Sequence, residues 1–385
     1  MRFLILDTDY PAFLNWLYAE NPALHEKSFD EQLRVHTDAC FGMAGFCSSN
    51  LRALGHEAQD LHVNNEYMQK QWGREHGLKV SSDERWEFRL RRRIVPWVSR
   101  IRLRRWFYEI LAAQIRHYNP DVLLNLAMDG INSGFLQEMK PYTRLLVGQI
   151  AAPIPQGENW GIYDLVISSL PNFVEYFRSL GIQSEFNRLS FEPTVLRHLQ
   201  SQKKNILVSF VGSFTSAHGK RDQLLEHLCS NLPMNVWGNG VERLPQDSPI
   251  HARYLGAAWG IGMFRILATS KVVVNYHIDI AQSYANNMRL FEATDTGALL
   301  VTDSKQNLHN MFEPGKEVIA YRTPEECTEL IRHYLEHENE REEIARAGQQ
   351  RTLKEHTTYQ RMQELVDIVG RHMRRSVAMT QGIIV

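Results

Sequence analysis

The sequence predicts an α/β protein built from two Rossmann-like halves. Apolar, strand-like runs alternate with amphipathic stretches along most of the chain, and this rhythm breaks once, near residue 200. Length agrees: 385 residues exceed the size at which one hydrophobic core keeps growing, so two domains of ordinary size are expected.

Residues 3–6, all apolar, read as the first strand. A helical pattern over about residues 38–54 stops at Gly55, and a strand near 58–63 completes a βαβ unit. Strands at 121–126, 144–149 and 164–168 and a helix at 173–180 continue the alternation, which predicts a mostly parallel sheet covered on both faces. The segment 189–205, with Pro193 and the polar run Gln200-Ser201-Gln202-Lys203-Lys204-Asn205, interrupts the pattern and marks the junction. Beyond it, strands at 206–211, 234–237, 271–276, 298–302 and 317–321 alternate with helices at 221–230 and 261–270, and helices follow from Pro324. The expected domains are therefore 1–195 and 196–355. A terminal segment, 356–385, carries a helix near 359–375 that has no strand to cover and is expected to cross back onto the first domain.

With 43% apolar and 23% charged residues the composition is that of a soluble globular protein, and a net charge of -1 singles out no partner. The opening Met1-Arg2-Phe3-Leu4-Ile5-Leu6-Asp7 is too short a run for a signal peptide core or a membrane span. Cys40, Cys47, Cys229 and Cys327 lack metal-ligand spacing, as expected of reduced thiols in a cytoplasmic protein; Cys40 and Cys47, seven apart on the expected helix, read as core. The sharpest charge asymmetry runs from Arg85 to Arg105, where arginines interleave with Trp86, Phe88 and Trp97. It reads as a helix broken near Pro96, with an arginine face that is either solvated or in peripheral contact with an anionic lipid surface. No nucleic-acid-binding module accompanies it, so no nucleic acid is expected.

Several motifs fall at expected strand ends. Phe210-Val211-Gly212-Ser213 leads through small and hydroxyl residues to Lys220-Arg221 at a helix start, where backbone N–H groups and two cations suit a phosphate; the plain alternative is a strand-to-helix turn with solvated basic residues. Asn235-Val236-Trp237-Gly238-Asn239-Gly240 and His251-Ala252-Arg253-Tyr254-Leu255-Gly256 can wall a base pocket or be ordinary glycine turns. After Asn275 comes Asn287-Met288-Arg289-Leu290-Phe291-Glu292-Ala293, a helix whose Ala285, Arg289, Glu292 and Thr296 share a face. Its carboxylate suits a ribose diol and its arginine a phosphate, whereas a simple helical ion pair contributes only about 0.2–0.5 kcal/mol.

In the first half, Asp7-Thr8-Asp9 follows the first strand. Its place argues against a metal site. Asp129, in Leu126-Ala127-Met128-Asp129-Gly130, reads either as a general base raised by burial or as a helix N-cap. His36 and His218 are weaker choices among 16 histidines.

Taken in order, Phe210-Val211-Gly212-Ser213, Asn275, Asn287 to Ala293, Gly297-Ala298-Leu299-Leu300-Val301-Thr302-Asp303, Phe312-Glu313-Pro314-Gly315-Lys316-Glu317 and His356-Thr357-Thr358-Tyr359-Gln360-Arg361 resemble the glycosyltransferases of the spore-maturation-protein type. These are GT-B enzymes with a glycosyl-transferase group 1 carboxy-terminal domain. The resemblance covers residues 205–365 well and the first half loosely. It implies hexosyltransferase-like transfer in the cytoplasm, with a nucleotide-diphospho-sugar held mainly by the second domain and a glycan, lipid, protein or small-molecule acceptor held by the first. In GT-B enzymes the loop after the first strand faces the cleft, which implies that Asp7 or Asp9 contacts an acceptor. No cofactor and no metal are implied, and membrane association through Arg85 to Arg105 is an added expectation.

The matching glutamate of related enzymes binds the donor ribose, so Glu292 takes that role, with Lys220, Arg221 and Arg289 toward the diphosphate. The expected donor-binding set is Gly212, Ser213, Lys220, Arg221, Gly238, Tyr254, Asn275, Asn287, Arg289 and Glu292, and the expected catalytic carboxylates are Asp129 and Asp9. Where many retaining relatives carry a second glutamate, this chain has Tyr284 or Ala285, so neither the sugar-facing contact nor the stereochemistry is implied. A nucleotide-sugar epimerase of the same fold and a noncatalytic nucleotide-sugar or anionic-lipid binding protein are the alternatives.

Overall fold

The computed structural model describes residues 1–80, 84–91, 95–102, 105–199, 203–215 and 219–380, with 84–91, 95–102 and 375–380 described as backbone alone. His218 lies outside the described residues. The chain divides into two compact units, Met1–Asp38 with Gly55–Ile150 and Ile154–Leu165, and Ala39–Leu54 with Ala151–Pro153 and Val166–Val385.

The chain opens with β1 (Arg2–Asp7), α1 (Pro11–Glu20), α2 (Phe29–Asp38), α3 (Phe46–Ala53), β2 (Glu57–His62) and α4 (Glu66–Glu75). Then come β3 (Glu84–Arg91), β4 (Val95–Arg102), α5 (Arg105–Tyr118), β5 (Val122–Asn125), α6 (Ser133–Met139) and β6 (Leu145–Gln149). β7 (Leu165–Ser168), α7 (Pro171–Ser179) and β8 (Ser184–Phe186) complete a six-stranded sheet of order β2-β1-β5-β6-β7-β8. β1 pairs in parallel with β2 and β5, with Asp7 opposite His62 and Leu6 opposite Asn125. Phe3, Leu4, Ile5 and Leu6 are all buried, the mark of a strand covered on both faces.

Two expectations in this half are corrected. The helix expected over 38–54 is confined to α3, because Cys40, Gly42, Ala44 and Gly45 all adopt positive φ and no right-handed helix passes through them; α2 ends where the expected helix began. Cys40 therefore lies in the turn and Cys47 in α3, both buried and neither in a disulfide. The basic segment is a hairpin and not a helix: β3 and β4 pair antiparallel, Glu84 opposite Arg102 and Arg91 opposite Val95. Trp86, Phe88 and Leu90 alternate with charged residues at period two, a strand pattern that the arginine content masked.

The carboxy-terminal elements are β9 (Ile206–Val211), α8 (Gly219–Asn231), β10 (Met234–Trp237), α9 (Gly260–Thr269), β11 (Ser270–Asn275), α10 (Arg289–Asp295), β12 (Leu299–Asp303), β13 (Ile319–Tyr321), α11 (Pro324–Glu336), α12 (Glu338–Glu355) and α13 (Thr358–Thr380). Their parallel sheet has the order β10-β9-β11-β12-β13. Alternate residues feed two cores: Val272, Val274, Leu299 and Val301 pack with Leu225 of α8 and Ile331 of α11, while Val273 and Leu300 pack with Leu267 of α9 and Phe291 of α10. Each such fully buried side chain contributes about 1.5–3 kcal/mol. α13 buries Met362, Leu365 and Val369 at helical spacing and packs on α3.

Candidate functional site

The carboxyl ends of β9, β10 and β11 gather the expected donor residues. Gly212 N–H donates to Trp237 O at 3.0 Å, Phe214 N–H to Asn239 O at 2.7 Å and Gly238 N–H to Gly256 O at 3.0 Å, so the two glycine segments form one wall. Tyr254 donates its hydroxyl to Gly238 O at 2.8 Å, fixing the third segment against the second. Gly238, at φ +156°, is obligatory: a Cβ there lies 1.9 Å from Gly212 O.

α10 is tied to the same edge. Arg289 donates from Nη2 to Val211 O at 3.1 Å, and its Nη1 lies 2.8 Å from Glu292 Oε2, so the ion pair that the spacing allows is formed. Both side chains are largely enclosed, 14% and 11% exposed. The helix begins at Arg289, so Ala285 does not share its face as expected; the Asn287 side chain instead accepts from Leu290 N–H at 3.2 Å. Asn287 Nδ2 donates to Asn275 Oδ1 at 2.8 Å, and Asn275 Nδ2 to Thr302 Oγ1 at 2.9 Å. These two asparagines brace the frame.

The two cations ahead of α8 part ways. Lys220 is exposed and lines an open hollow with Gln223, Ile278 and Asp279. Arg221, expected toward the diphosphate, is 4% exposed: Nη2 donates to Ser213 O at 2.8 Å and to Asp222 Oδ1 at 3.0 Å, and the guanidinium sits over Phe210 and Phe214. Two aromatic rings within reach give that cation an interior place, so it holds the Gly212-Ser213 turn in shape.

Sequence reasoning missed the network that shapes the loop between β11 and α10. His277 donates from its backbone N–H to Asp303 Oδ1 at 3.0 Å, its Nδ1 lies 2.6 Å from the same oxygen, and Lys305 Nζ lies 3.3 Å from Oδ2. Burial alone would raise the Asp303 carboxyl, but the bond and charge of His277, with Lys305, hold it below its usual range. Lys305 also donates to Gln282 O at 2.9 Å, and Asn307 accepts from Ala285 N–H at 2.6 Å. Asp303 at the end of a buried strand was the one available sign; its partner lies 26 residues away.

At the carboxyl edge of the first sheet, the expected acceptor contact Asp9 turns inward. Its Oδ1 lies 2.9 Å from His36 Nε2 and its Oδ2 3.2 Å from His62 Nδ1, with both imidazoles fully buried and the carboxylate 7% exposed. Burial opposes ionisation of Asp9, but the charge of His62 close beside it and the hydrogen bond from His36 hold it far below the usual carboxylate range. Burial would lower His62, yet Asp9, with Asp7 and Asp60, pushes it up to about 9; Asp7 itself is pushed up by burial to about 7. Burial and the charge of His62 lower His36. Asp129 is exposed, in the turn after β5, and the cap of α6 is Asn132, which accepts from Phe135 N–H at 2.8 Å. Neither burial nor capping therefore applies to Asp129. Thr8 packs beside Gly130, so the loops after β1 and β5 adjoin.

Residues 220–367 match the family described as Glycosyl transferase-like. Comparison with curated proteins finds no match. Among solved structures, HepE of Anabaena in complex with UDP-glucose is 12% identical over 96% of this chain and all of that one, with a TM-score of 0.58. Sucrose-phosphate synthase from Thermosynechococcus elongatus is 11% identical over 96% and 98%, at 0.56. The chain has the GT-B fold. The pneumococcal O-GlcNAc transferase GtfA, solved with UDP and GlcNAc, is 9% identical over 97% of this chain and 99% of its own, at 0.56. Among the described residues no helix is long and apolar enough to cross a membrane.

Proposed function

We propose that this chain is a glycosyltransferase of the spore-maturation type that moves a hexosyl group from a nucleotide-diphospho-sugar to an acceptor hydroxyl in the cytoplasm. The observation that carries the reading is the Arg289–Glu292 pair, anchored by Val211 O at the carboxyl edge of β9, where open α/β sheets bind nucleotides. A fold neighbour crystallised with UDP-glucose supports the donor class. Glu292 receives the ribose hydroxyls through Oε1, and Arg289 and Lys220 neutralise the departing diphosphate, so transfer needs no metal. Gly212, Ser213, Gly238 and Tyr254 supply backbone and aromatic walls; Asn275, Asn287 and Arg221 hold them.

We assign the acceptor to residues 1–195 and the donor to residues 196–355, with 356–385 as a terminal helical segment. Asp129, exposed beside Thr8, is the carboxylate an acceptor hydroxyl can reach, whereas Asp9 is enclosed by its histidines. We assign anionic-lipid contact to the basic segment Arg85 to Arg105, which includes the β3–β4 hairpin; unchanged flotation with anionic liposomes after arginine-to-serine changes there would remove that part.

A nucleotide-release screen over a donor panel, with cell extract as acceptor, tests the function. Glu292→Gln loses a charge-assisted hydrogen bond of about 1.5–3 kcal/mol, so donor affinity is expected to fall about 10- to 150-fold. Full affinity and turnover in that variant would overturn the site.

A further inference from the structure

The Asp9, His36 and His62 side chains form a group of a kind that neither donor nor acceptor binding accounts for. Among the described residues it is the group whose ligand-type atoms, one carboxylate oxygen and two imidazole nitrogens, all lie within 4.8 Å of one another. Asp9 follows β1, His62 ends the neighbouring β2 and His36 comes from α2. The loop carrying Asp9 is clamped, because Asp9 N–H donates to Asn64 Oδ1 at 2.8 Å and Asn64 Nδ2 returns a bond to Asp9 O at 2.7 Å. His36 is held from behind by the edge of Phe13, with ring centroids 5.4 Å apart.

Asp9 Oδ2 and His62 Nδ1 lie 3.2 Å apart, both buried, and neither has a hydrogen-bond partner. Two ligand-type atoms facing each other at that separation match the edge of a tetrahedron around an ion about 2.0 Å from each, which is ~3.3 Å long. His62 Nε2 and His36 Nδ1 are likewise buried without hydrogen-bond partners. Asp60, on the same face of β2 as His62, is buried as well. Buried carboxylates favour a cation partner.

We propose that Asp9, His36 and His62 bind a divalent transition-metal ion of the zinc class, which pins the loop after β1 to β2 and α2. Two imidazoles and one carboxylate suit zinc better than magnesium or calcium, which favour oxygen ligands throughout. The three-donor set leaves one coordination position for an oxygen ligand. The ion has a structural part, because the group is enclosed, and this inference stands apart from the assignment of sugar transfer. With both imidazoles enclosed, the ion enters as the chain folds.

The full chain, unfolded in urea with a chelator, is refolded with ZnCl2 or CoCl2, and bound metal is counted after gel filtration. The expected result is one zinc per chain, a raised thermal midpoint, and visible ligand-field bands of a four-coordinate nitrogen and oxygen site in the cobalt form. Asp9→Asn and His62→Gln are expected to weaken binding by more than about 100-fold. Zinc content unchanged in both variants would place the metal on other histidines and overturn the proposal. Should the variants fail to refold, the wild-type cobalt spectrum decides: six-coordinate aquo-type bands, or no bound cobalt, would overturn it as well.

Discussion

Asp295, the last residue of α10, is fully buried, and neither carboxylate oxygen has a hydrogen-bond partner. Burial, with the nearby charge of Glu192, pushes its carboxyl up from 3.8 to about 8. The folded chain thus keeps a proton that the unfolded chain releases above pH 3.8, so the protonated Asp295 is best tolerated at acid pH and stability falls as pH rises toward about 8. At 1.36 kcal/mol per unit, the loss between about pH 5 and pH 8 amounts to roughly 4 kcal/mol, an order-of-magnitude figure. Asp295→Asn keeps the shape and removes the ionisation. Urea unfolding of wild type and variant across that range is the assay, and the difference in stability between them should grow with pH in favour of the variant. Glu192→Gln removes a charge that raises the Asp295 carboxyl, so the wild-type loss should end at a lower pH. A difference that stays flat from about pH 5 to pH 8 would refute the reasoning, since it would mean the carboxyl is solvated or paired in solution.

Gly238→Ala places a methyl group 1.9 Å from Gly212 O, backbone against backbone, so it cannot be relieved by a rotamer. It should destabilise by about 1–3 kcal/mol and weaken donor binding as the wall of β9 and β10 parts, read by thermal unfolding and donor titration. His356 behaves oppositely to Asp295 with pH: burial, despite its bond to Met311 O and helped by Arg361, lowers it to about 4. The unfolded chain takes up the proton below pH 6.5, so its stabilising effect is complete above that and is lost as pH falls toward about 4, roughly 3 kcal/mol in all. His356→Gln should flatten the acid limb of the stability profile.

The second half was legible nearly residue by residue. The strands expected at 206–211 and 234–237 coincide with β9 and β10, because buried parallel strands are short, unbroken apolar runs bounded by polar turns. The first half was less so. α1, α2 and α4 carry mixed surfaces, and the hairpin of β3 and β4 hides its period of two under arginine; local composition points there to a helix, while pairing with a partner strand decides otherwise.

Site residues divide along a similar line. Gly212, Gly238 and Tyr254 act through backbone geometry at strand ends, which a one-dimensional pattern reveals. Asp9 with His36 and His62, and His277 with Asp303, are joined across 27, 53 and 26 positions by β–α topology, and nothing local announces such pairs. Arg221 shows the converse: a basic residue at a helix start looks solvated until Phe210 and Phe214 are seen to enclose it.

At the Arg289–Glu292 pair, the ion pair and the proposed ligand site are not rival readings. Partly enclosed as it is, loss of either member leaves the other charge short of its partner, so Glu292→Ala should lower stability as well as donor binding. Removing Arg289 along with it cancels that electrostatic penalty while leaving the ribose contact unmade. Stability should therefore recover in the double variant and donor affinity should not. If affinity recovered in step with stability, neither side chain would contact the donor, and the ribose and diphosphate contacts would belong to other residues.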